Sequence, residues 1–476
     1  MTALPEIYLL ASRWIVSEAE MNLKHQAVAA GLLILLFLFG GIAGAFAQTD
    51  LKAAPVSPVT VKSLPTSTHA AAPAIKFDPV KATNAYLARI SGAARQRSDS
   101  YFEGGYVLIL VDALYSIAVS ALLLWSGISA KMRNIAQSIT RSRFLQVPIY
   151  VGMFVVITTA LTFPLTIYEE FLREHAYGLS NQNFAQWFGD FAKGFAVQLI
   201  IFAIALTLIY AVIRATPRFW WAWGTVVAIA LAAVLVTVEP VFIAPLFNHY
   251  QPLPESTIKE NILALAKANG IPADNVYEFD ASRQSKRISA NVSGLFGTTR
   301  ISLNDNLMNR CNPREIEAVL GHEMGHYVLN HVAIGMTWLG LVILVAFLFV
   351  SWGFHALTAI FGGNWDVRSI EDPAGLPVLT ALLAFFLLLA TPVTNTITRT
   401  LEAQADIFGL NAARQPDGFA TATLKLSEYR KLDPSPLEEF IFYDHPSGRT
   451  RIWTAMRWKA WHLNDPDIKA GPVSPQ

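Results

Sequence analysis

His322, Glu323 and His326 stand in the order His-Glu-x-x-His within AVLGHEMGHYVLNHVAIGMTW. Such a trio can hold a divalent cation and move a proton beside it. On a helix, positions i and i+4 differ by about 40° around the axis, so both imidazoles leave one face and can share one tetrahedral zinc. Glu323 stands one residue round, in reach of a water on that zinc and able to take its proton. Zinc brings the pKa of such a water to about 7, which makes hydroxide available at neutral pH. The bland alternative is a coincidental pair of helix histidines, but with 10 histidines in 476 residues chance matches are uncommon.

A catalytic zinc wants a third protein ligand and an open fourth position. The metzincin continuation would set a glycine three residues after the second histidine and a further histidine three beyond that. Leu329 and Val332 occupy those places and exclude it. NTITRTLEAQADIFGLNAA instead offers Glu402 and Asp406 on one helix face. Glu402 is the candidate third ligand, and Asp406 the acceptor for the second N–H of a ligand histidine. Alone, a Glu-x-x-x-Asp spacing is commonly a solvated face; beside a His-Glu-x-x-His motif it is the favoured partner.

The elements that must position these groups are membrane helices. Hydrophobic residues make up 53% of the chain and charged ones 15%, against about a quarter charged in soluble proteins. The net charge of +1 gives no basic surface for nucleic acid. The single cysteine, Cys311, excludes an intramolecular disulfide and a cysteine-rich metal site. A bilayer core of about 30 Å needs about 20 apolar residues. Spans are therefore predicted near 105–127, 148–168, 194–213, 222–242, 331–353 and 376–394. An earlier run, 28–47, follows Lys24 and ends in AGAFAQ; it reads equally as a signal peptide with a cleavage site near Ala45 and Ala47 or as a first membrane helix.

Residues 48–82 are rich in Pro, Ala, Thr and Ser without apolar periodicity, and belong to a linker predicted over 48–104. A bundle of four membrane helices follows over 105–245, then a first catalytic part over 246–330, a membrane hairpin over 331–395 and a second catalytic part over 396–476. The two catalytic parts flank the hairpin and so can meet at one membrane face. In the first, STIKENILALAKANG has helical spacing, while NVYEFDAS and TRISLND read as short strands. NVSGLFGTTR has the composition of a strand edge or hairpin. Asn312, Pro313 and Glu315 form a helix start with capping-box spacing, which places the His-Glu motif on a helix.

These motifs, with a later DHPSGRTRI and with PLTIYEEFLREHAYGLSNQNFAQWFGDFAKG, IAPLFNHYQPLPES and ASRQSKRISANVSGLFGTTRISLNDNL in order before it, resemble the membrane-embedded zinc metallopeptidases of the Ste type, CAAX prenyl protease 1. The resemblance covers the chain from about residue 100 onward. It implies an all-α multi-pass membrane protein carrying a zincin-like α+β catalytic unit, with a helical bundle around an aqueous chamber. It also implies His322, His326 and Glu402 as ligands of one Zn2+ per chain, Glu323 as general base, His445 as an oxyanion stabiliser and Arg451 as holder of the substrate's C-terminal carboxylate. By residue type alone, His445 reads as a helix-start histidine satisfied by backbone. The family's Asn-Ala-Tyr before its substrate-binding strand is here Ser-Ala-Asn, with Ser289 at the Asn position. Asn291, Val292, Ser293 and Gly294 can still pair with an extended peptide by strand addition. The implied chamber would house Asp112 and Glu239, ionisable groups within or ending apolar spans; for Glu239 the simpler alternative is that its helix ends there.

The reading is thus a zinc metalloendopeptidase acting on peptides or proteins, membrane-anchored ones included, within the bilayer of a bacterial inner (cell) membrane and without a nucleic-acid partner. A quality-control protease without prenyl recognition, and a transporter with a structural zinc, are the alternatives. Glu323 argues against the transporter, because a closed structural site has no use for an acid beside it. Lys131, Arg133, Arg141 and Arg143 in one loop, and Arg214 and Arg218 in another, place both loops in the cytoplasm. Counting spans onward puts the catalytic parts outside it, whereas the eukaryotic members of the resembled family face the cytosol. A reporter that fluoresces only in the cytoplasm, fused after residue 470, is expected to stay dark; a bright fusion restores the family orientation.

Overall fold

The structure, a computed structural model, describes residues 77–293 and 299–469. The run 28–47, the linker up to residue 76 and Gly294 lie outside the described residues. Helix α1 (Pro79–Leu87) is capped by Asp78, whose carboxylate accepts from the Val80 and Lys81 amides. It leads into α2 (Gly92–Trp125), so residues 79–104, assigned to the linker above, are largely helical. Their apolar content is low, but Tyr86 and Leu87 are buried against the catalytic helices, and that tertiary contact holds a segment whose periodicity is weak.

A short amphipathic α3 (Ile128–Ile139) precedes three further long helices, α4 (Arg143–Thr166), α5 (Phe184–Ala215) and α6 (Trp220–Val238). Beyond Thr166, α4 runs as a π-helix over Ile167–Arg173. The change of period turns Glu169, Glu170 and Glu174 towards a cavity of about 790 Å3 that Asp190, Gln198 and Arg287 also line. Asp112 hydrogen-bonds Glu169 from α2. Glu239 is exposed where the α-helical part of its segment gives way.

The first catalytic part forms a four-stranded sheet. Its strands are β1 (Tyr250–Pro252), β2 (Val276–Phe279), β3 (Ala290–Ser293) and β4 (Arg300–Asn304), in spatial order β1-β2-β4-β3. Helix α7 (Thr257–Ala268), capped by Ser256, lies between β1 and β2 in sequence. Strands β2 and β4 are parallel, and β3 is antiparallel to β4 with Asn291 opposite Ser302, which leaves β3 on an edge. After α8 (Asp305–Arg310) comes α9 (Pro313–Val328), closed at its start by the Asn312–Glu315 capping box and packed against β3.

Two long helices form the hairpin, α10 (His331–Trp365) and α11 (Leu376–Ala413). Six helices among the described residues are long and apolar enough to cross a membrane, one for each predicted span. Helix α11 does not stop at 395: it carries the membrane span and then Glu402 and Asp406 without a break. On the far face, buried Arg133 reaches Asp366 at 2.6 Å and Asp372 at 2.8 Å, fastening the α3 loop to the hairpin turn. Helices α12 (Pro416–Leu426), α13 (Pro436–Phe442) and α14 (Gly448–Trp461) complete the chain. Ala318 of α9, Leu410 of α11, Phe419 and Ile452 share one core, which joins residues from before and after the hairpin.

Helices α9 and α11 approach with almost no side chain between them. A Cβ added at Gly409 would lie 2.7 Å from the His322 backbone nitrogen, and one at Gly325 would lie 3.0 Å from Ala405 Cα. Backbone atoms cannot yield as a flexible side chain can. Gly409→Ala is therefore expected to cost about 1–3 kcal/mol of stability and to lower metal content, read by thermal unfolding in detergent and by elemental analysis. An unchanged variant would show that the helices part freely.

Candidate metal centre

Helix α9 presents His322 and His326 from one face, and α11 brings Glu402 to meet them. His322 Nε2 and His326 Nε2 are 3.2 Å apart. Glu402 Oε2 is 3.1 Å from His322 Nε2, and Glu402 Oε1 is 3.5 Å from His326 Nε2. Ligand bonds of about 2.0–2.1 Å in tetrahedral geometry give edges of about 3.3 Å between donor atoms, so the three donors stand where one small cation needs them.

The hydrogen bonds around the donors fix the same arrangement. His322 Nδ1 is 2.8 Å from Asp406 Oδ1, and His326 Nδ1 is 3.0 Å from His331 Nδ1. With protons on both Nδ1 atoms, each Nε2 turns a lone pair towards the other, which is repulsive unless a proton or a metal cation lies between. Buried Glu402 Oε2 makes no directed hydrogen bond, although His322 Nε2 and His445 Nε2 lie 3.1 and 3.2 Å away. Without a cation this oxygen and two imidazoles converge on nothing, so the donor set fits a divalent metal. Burial alone would lower the His322 pKa, but the neighbouring Asp406 and Glu402 carboxylates outweigh it and push it up to about 9. At neutral pH, binding of a metal displaces that proton.

Asp406 is itself held by Arg451, whose guanidinium forks onto the carboxylate with Nε at 2.9 Å from Oδ2. Arg451 is buried, and the charge of Asp406 helps raise its pKa against the burial that opposes it. The arginine expected at a substrate carboxylate is thus engaged behind His322, although it also borders the cavity in front of it.

That cavity, about 220 Å3, is lined by Ser289, Ala290, His322, Glu323, Arg430 and His445 among others. Burial raises the Glu323 carboxyl, with His322 and His326 pulling the other way. His445 Nδ1 lies 2.9 Å from Asp444. Burial would raise the Asp444 carboxyl, but its hydrogen bond to His445 holds it below the usual range. Of the edge strand, Ala290 reaches the cavity, while Asn291, Val292 and Ser293 continue along β3 half-buried.

Two family models match in tandem: the CAAX prenyl protease N-terminal model, described as five membrane helices, over residues 82–249, and the peptidase family M48 model over 252–459. An uncharacterised metalloprotease of Bacillus subtilis, YhfN, is 30% identical over 332 residues, covering 69% of this chain and 78% of that protein. The chain belongs to peptidase family M48. This M48 peptidase is 28% identical over 322 residues to CAAX prenyl protease 1 of Saccharomyces cerevisiae, which covers 64% of the chain and 70% of the relative. The crystal structure of S. mikatae Ste24p has the same fold, with a TM-score of 0.66 at 22% identity over 79% of this chain and 95% of that one. Family membership makes the chain a metal-dependent protease with a peptide or protein substrate, and its helices make it a multi-pass membrane protein.

Residue-by-residue reading missed His331. Five residues after His326 on a continuous helix would be another face, so the residue pattern gives no reason to pair the two. His331 is buried, and its Nε2 lies 3.1 Å from Gln404 Oε1 on α11. In the tautomer that leaves His326 Nε2 free, His326 gives Nδ1–H to His331 Nδ1, and His331 gives Nε2–H to Gln404 Oε1. His331→Ala is expected to weaken metal binding by about 10- to 100-fold, with helix content kept, in a chelator competition; affinity equal to the parent would remove His331 from the site.

Proposed function

We propose that this M48 peptidase is a zinc endopeptidase of the CAAX prenyl protease 1 type in a bacterial cell membrane, cutting peptides and membrane-anchored proteins. The observation that carries the reading is the tetrahedral spacing of the His322, His326 and Glu402 donor atoms beside a cavity that Glu323 lines. Two imidazoles and a carboxylate facing a cavity that leaves a fourth position open suit a catalytic zinc. The bacterial assignment draws on the YhfN match, which covers 69% of this chain against 64% for the yeast relative and 62% for the human one. Prenyl recognition is a property in the name of the yeast protein, and nothing in the cavity walls requires it here.

Zinc bound by these residues supplies a Lewis acid for the scissile carbonyl and a lowered pKa for water. Glu323, its carboxyl raised by burial, is the base: its carboxylate accepts the proton of the attacking water and returns it to the leaving amine. Asp406 and His331 hold the two ligand imidazoles in the tautomer that leaves each Nε2 free. Arg451 keeps Asp406 charged and in place. His445 is oriented through Nδ1 by Asp444, and its Nε2 faces the reacting carbonyl as a donor when the ring carries both protons. An extended substrate adds to the free edge of β3 through its main chain, in the region of Asn291, Val292, Ser293 and Gly294.

Glu323→Gln is expected to keep about one zinc per chain and to lose peptide cleavage by about 100-fold or more, whereas Glu402→Ala is expected to lose the metal with the fold intact. Zinc content by elemental analysis and cleavage of a quenched fluorescent peptide distinguish them. Cleavage by Glu323→Gln near the parent rate, or full zinc in Glu402→Ala, would sink the assignment.

A further inference from the structure

Two guanidinium groups border the catalytic cavity, Arg451 and Arg430. Arg451 is committed to Asp406. Arg430 is half-buried and forms no ion pair among the described residues; its polar side-chain neighbour is His445 Nε2, at a long 3.5 Å from Nη2. The Asp444 carboxylate, close enough to feel its charge, is turned to His445 Nδ1. The segment is fixed on both sides: the Arg430 carbonyl accepts from Ser98 Oγ at 3.1 Å, and Lys431 is tied to Glu103 and Glu438 at 2.6 and 2.8 Å. The guanidinium is therefore presented by an ordered backbone.

Arg430 also borders a second cavity of about 500 Å3, which runs along α2 and shares Tyr101 and Arg287 with the 790 Å3 cavity of the bundle. It thus stands at the doorway between the membrane chamber and the metal. The other cations of that passage, Arg287 and Arg173, are both engaged: Arg287 with Glu174 at 2.8 Å, and Arg173 with the carbonyl and the ring of Tyr101. An arginine held half out of water without a carboxylate is costly unless a ligand completes it, and its planar fork suits a carboxylate.

We infer that Arg430 is the specificity-determining residue that takes a carboxylate of the bound peptide, either its free C-terminus or an acidic side chain, close to the scissile bond. This rests on the peptidase reading above and reassigns the anion-holding role from Arg451 to Arg430. Substrates would then be cut beside a negative charge, and peptides lacking one would bind poorly.

The test uses full-length zinc-loaded protein in detergent with Glu323→Gln to prevent turnover. Three versions of one short alanine-rich fluorescein-labelled peptide are compared by anisotropy: free acid, C-terminal amide, and amide with a penultimate aspartate. The acid, the aspartate peptide, or both are expected to bind about 10-fold or more tighter than the plain amide. The preference should fall to near one in Arg430→Gln and survive in part in Arg430→Lys. Which peptide carries the preference identifies the source of the carboxylate. Equal binding of all three by the parent, or a preference unchanged in Arg430→Gln, overturns the inference. So does weakening of all three alike in a variant with unchanged melting, which would place Arg430 with His445 at the reacting carbonyl. Failure of the Glu323 parent to cleave any peptide would count against the peptidase reading instead.

Discussion

The backbone contact between α9 and α11 is the constraint on which the rest depends. Gly321, Gly325, Ala405 and Gly409 let two helices touch almost without side chains, and only at that separation do a carboxylate from one helix and two imidazoles from the other come within about 3.3 Å of each other. Larger residues at these places would move Glu402 outward and leave two buried lone pairs facing each other. Small residues here set a coordination distance, much as small-residue faces set helix approach in membranes.

Around this contact the polar groups are arranged in two chains, one behind each histidine. Arg451 to Asp406 to His322 is charged and wholly buried; His331 to Gln404 behind His326 is neutral. The asymmetry is physically sensible. A buried carboxylate needs a partner, and Arg451 supplies it, since a lone buried charge is among the costliest things a fold can hold. The neutral chain needs none, and sits at the first turn of α10, where the chain is about to enter lipid.

The chemistry and the membrane spans were legible because they are local patterns: two histidines four apart, an Asn-Pro-x-Glu helix start, apolar runs of sufficient length. The strands at Val276–Phe279 and Arg300–Asn304 were legible for the same reason. What was not legible depends on contacts distant in sequence. Residues 79–104 read as linker because Tyr86 is buried only by docking on the catalytic helices and by its bond to Asp417. The continuity of α11 through residue 395 was hidden by the polar run after Thr394, which loses its apolar signal where the helix leaves the membrane but keeps its hydrogen bonds. The engagement of Arg451 with Asp406 lies across 45 residues, and residue types alone give no reason to pair them.

One turn joins these levels. Helix α9 ends and α10 begins across Leu329 and Asn330, and Asn330 takes the left-handed conformation at φ 56°, which asparagine tolerates better than most residues. The break in the helix at Asn330 is what allows His331 to meet His326 while the next residues run into the membrane. A helix continuing straight from the motif would carry position 331 away around its axis, since residues five apart do not share a face. His326, the His331 ring behind it and the membrane entry are therefore a single unit of structure. Through its two ring nitrogens His331 joins His326 on one side to Gln404 on the other, two residues along the same helix from Glu402.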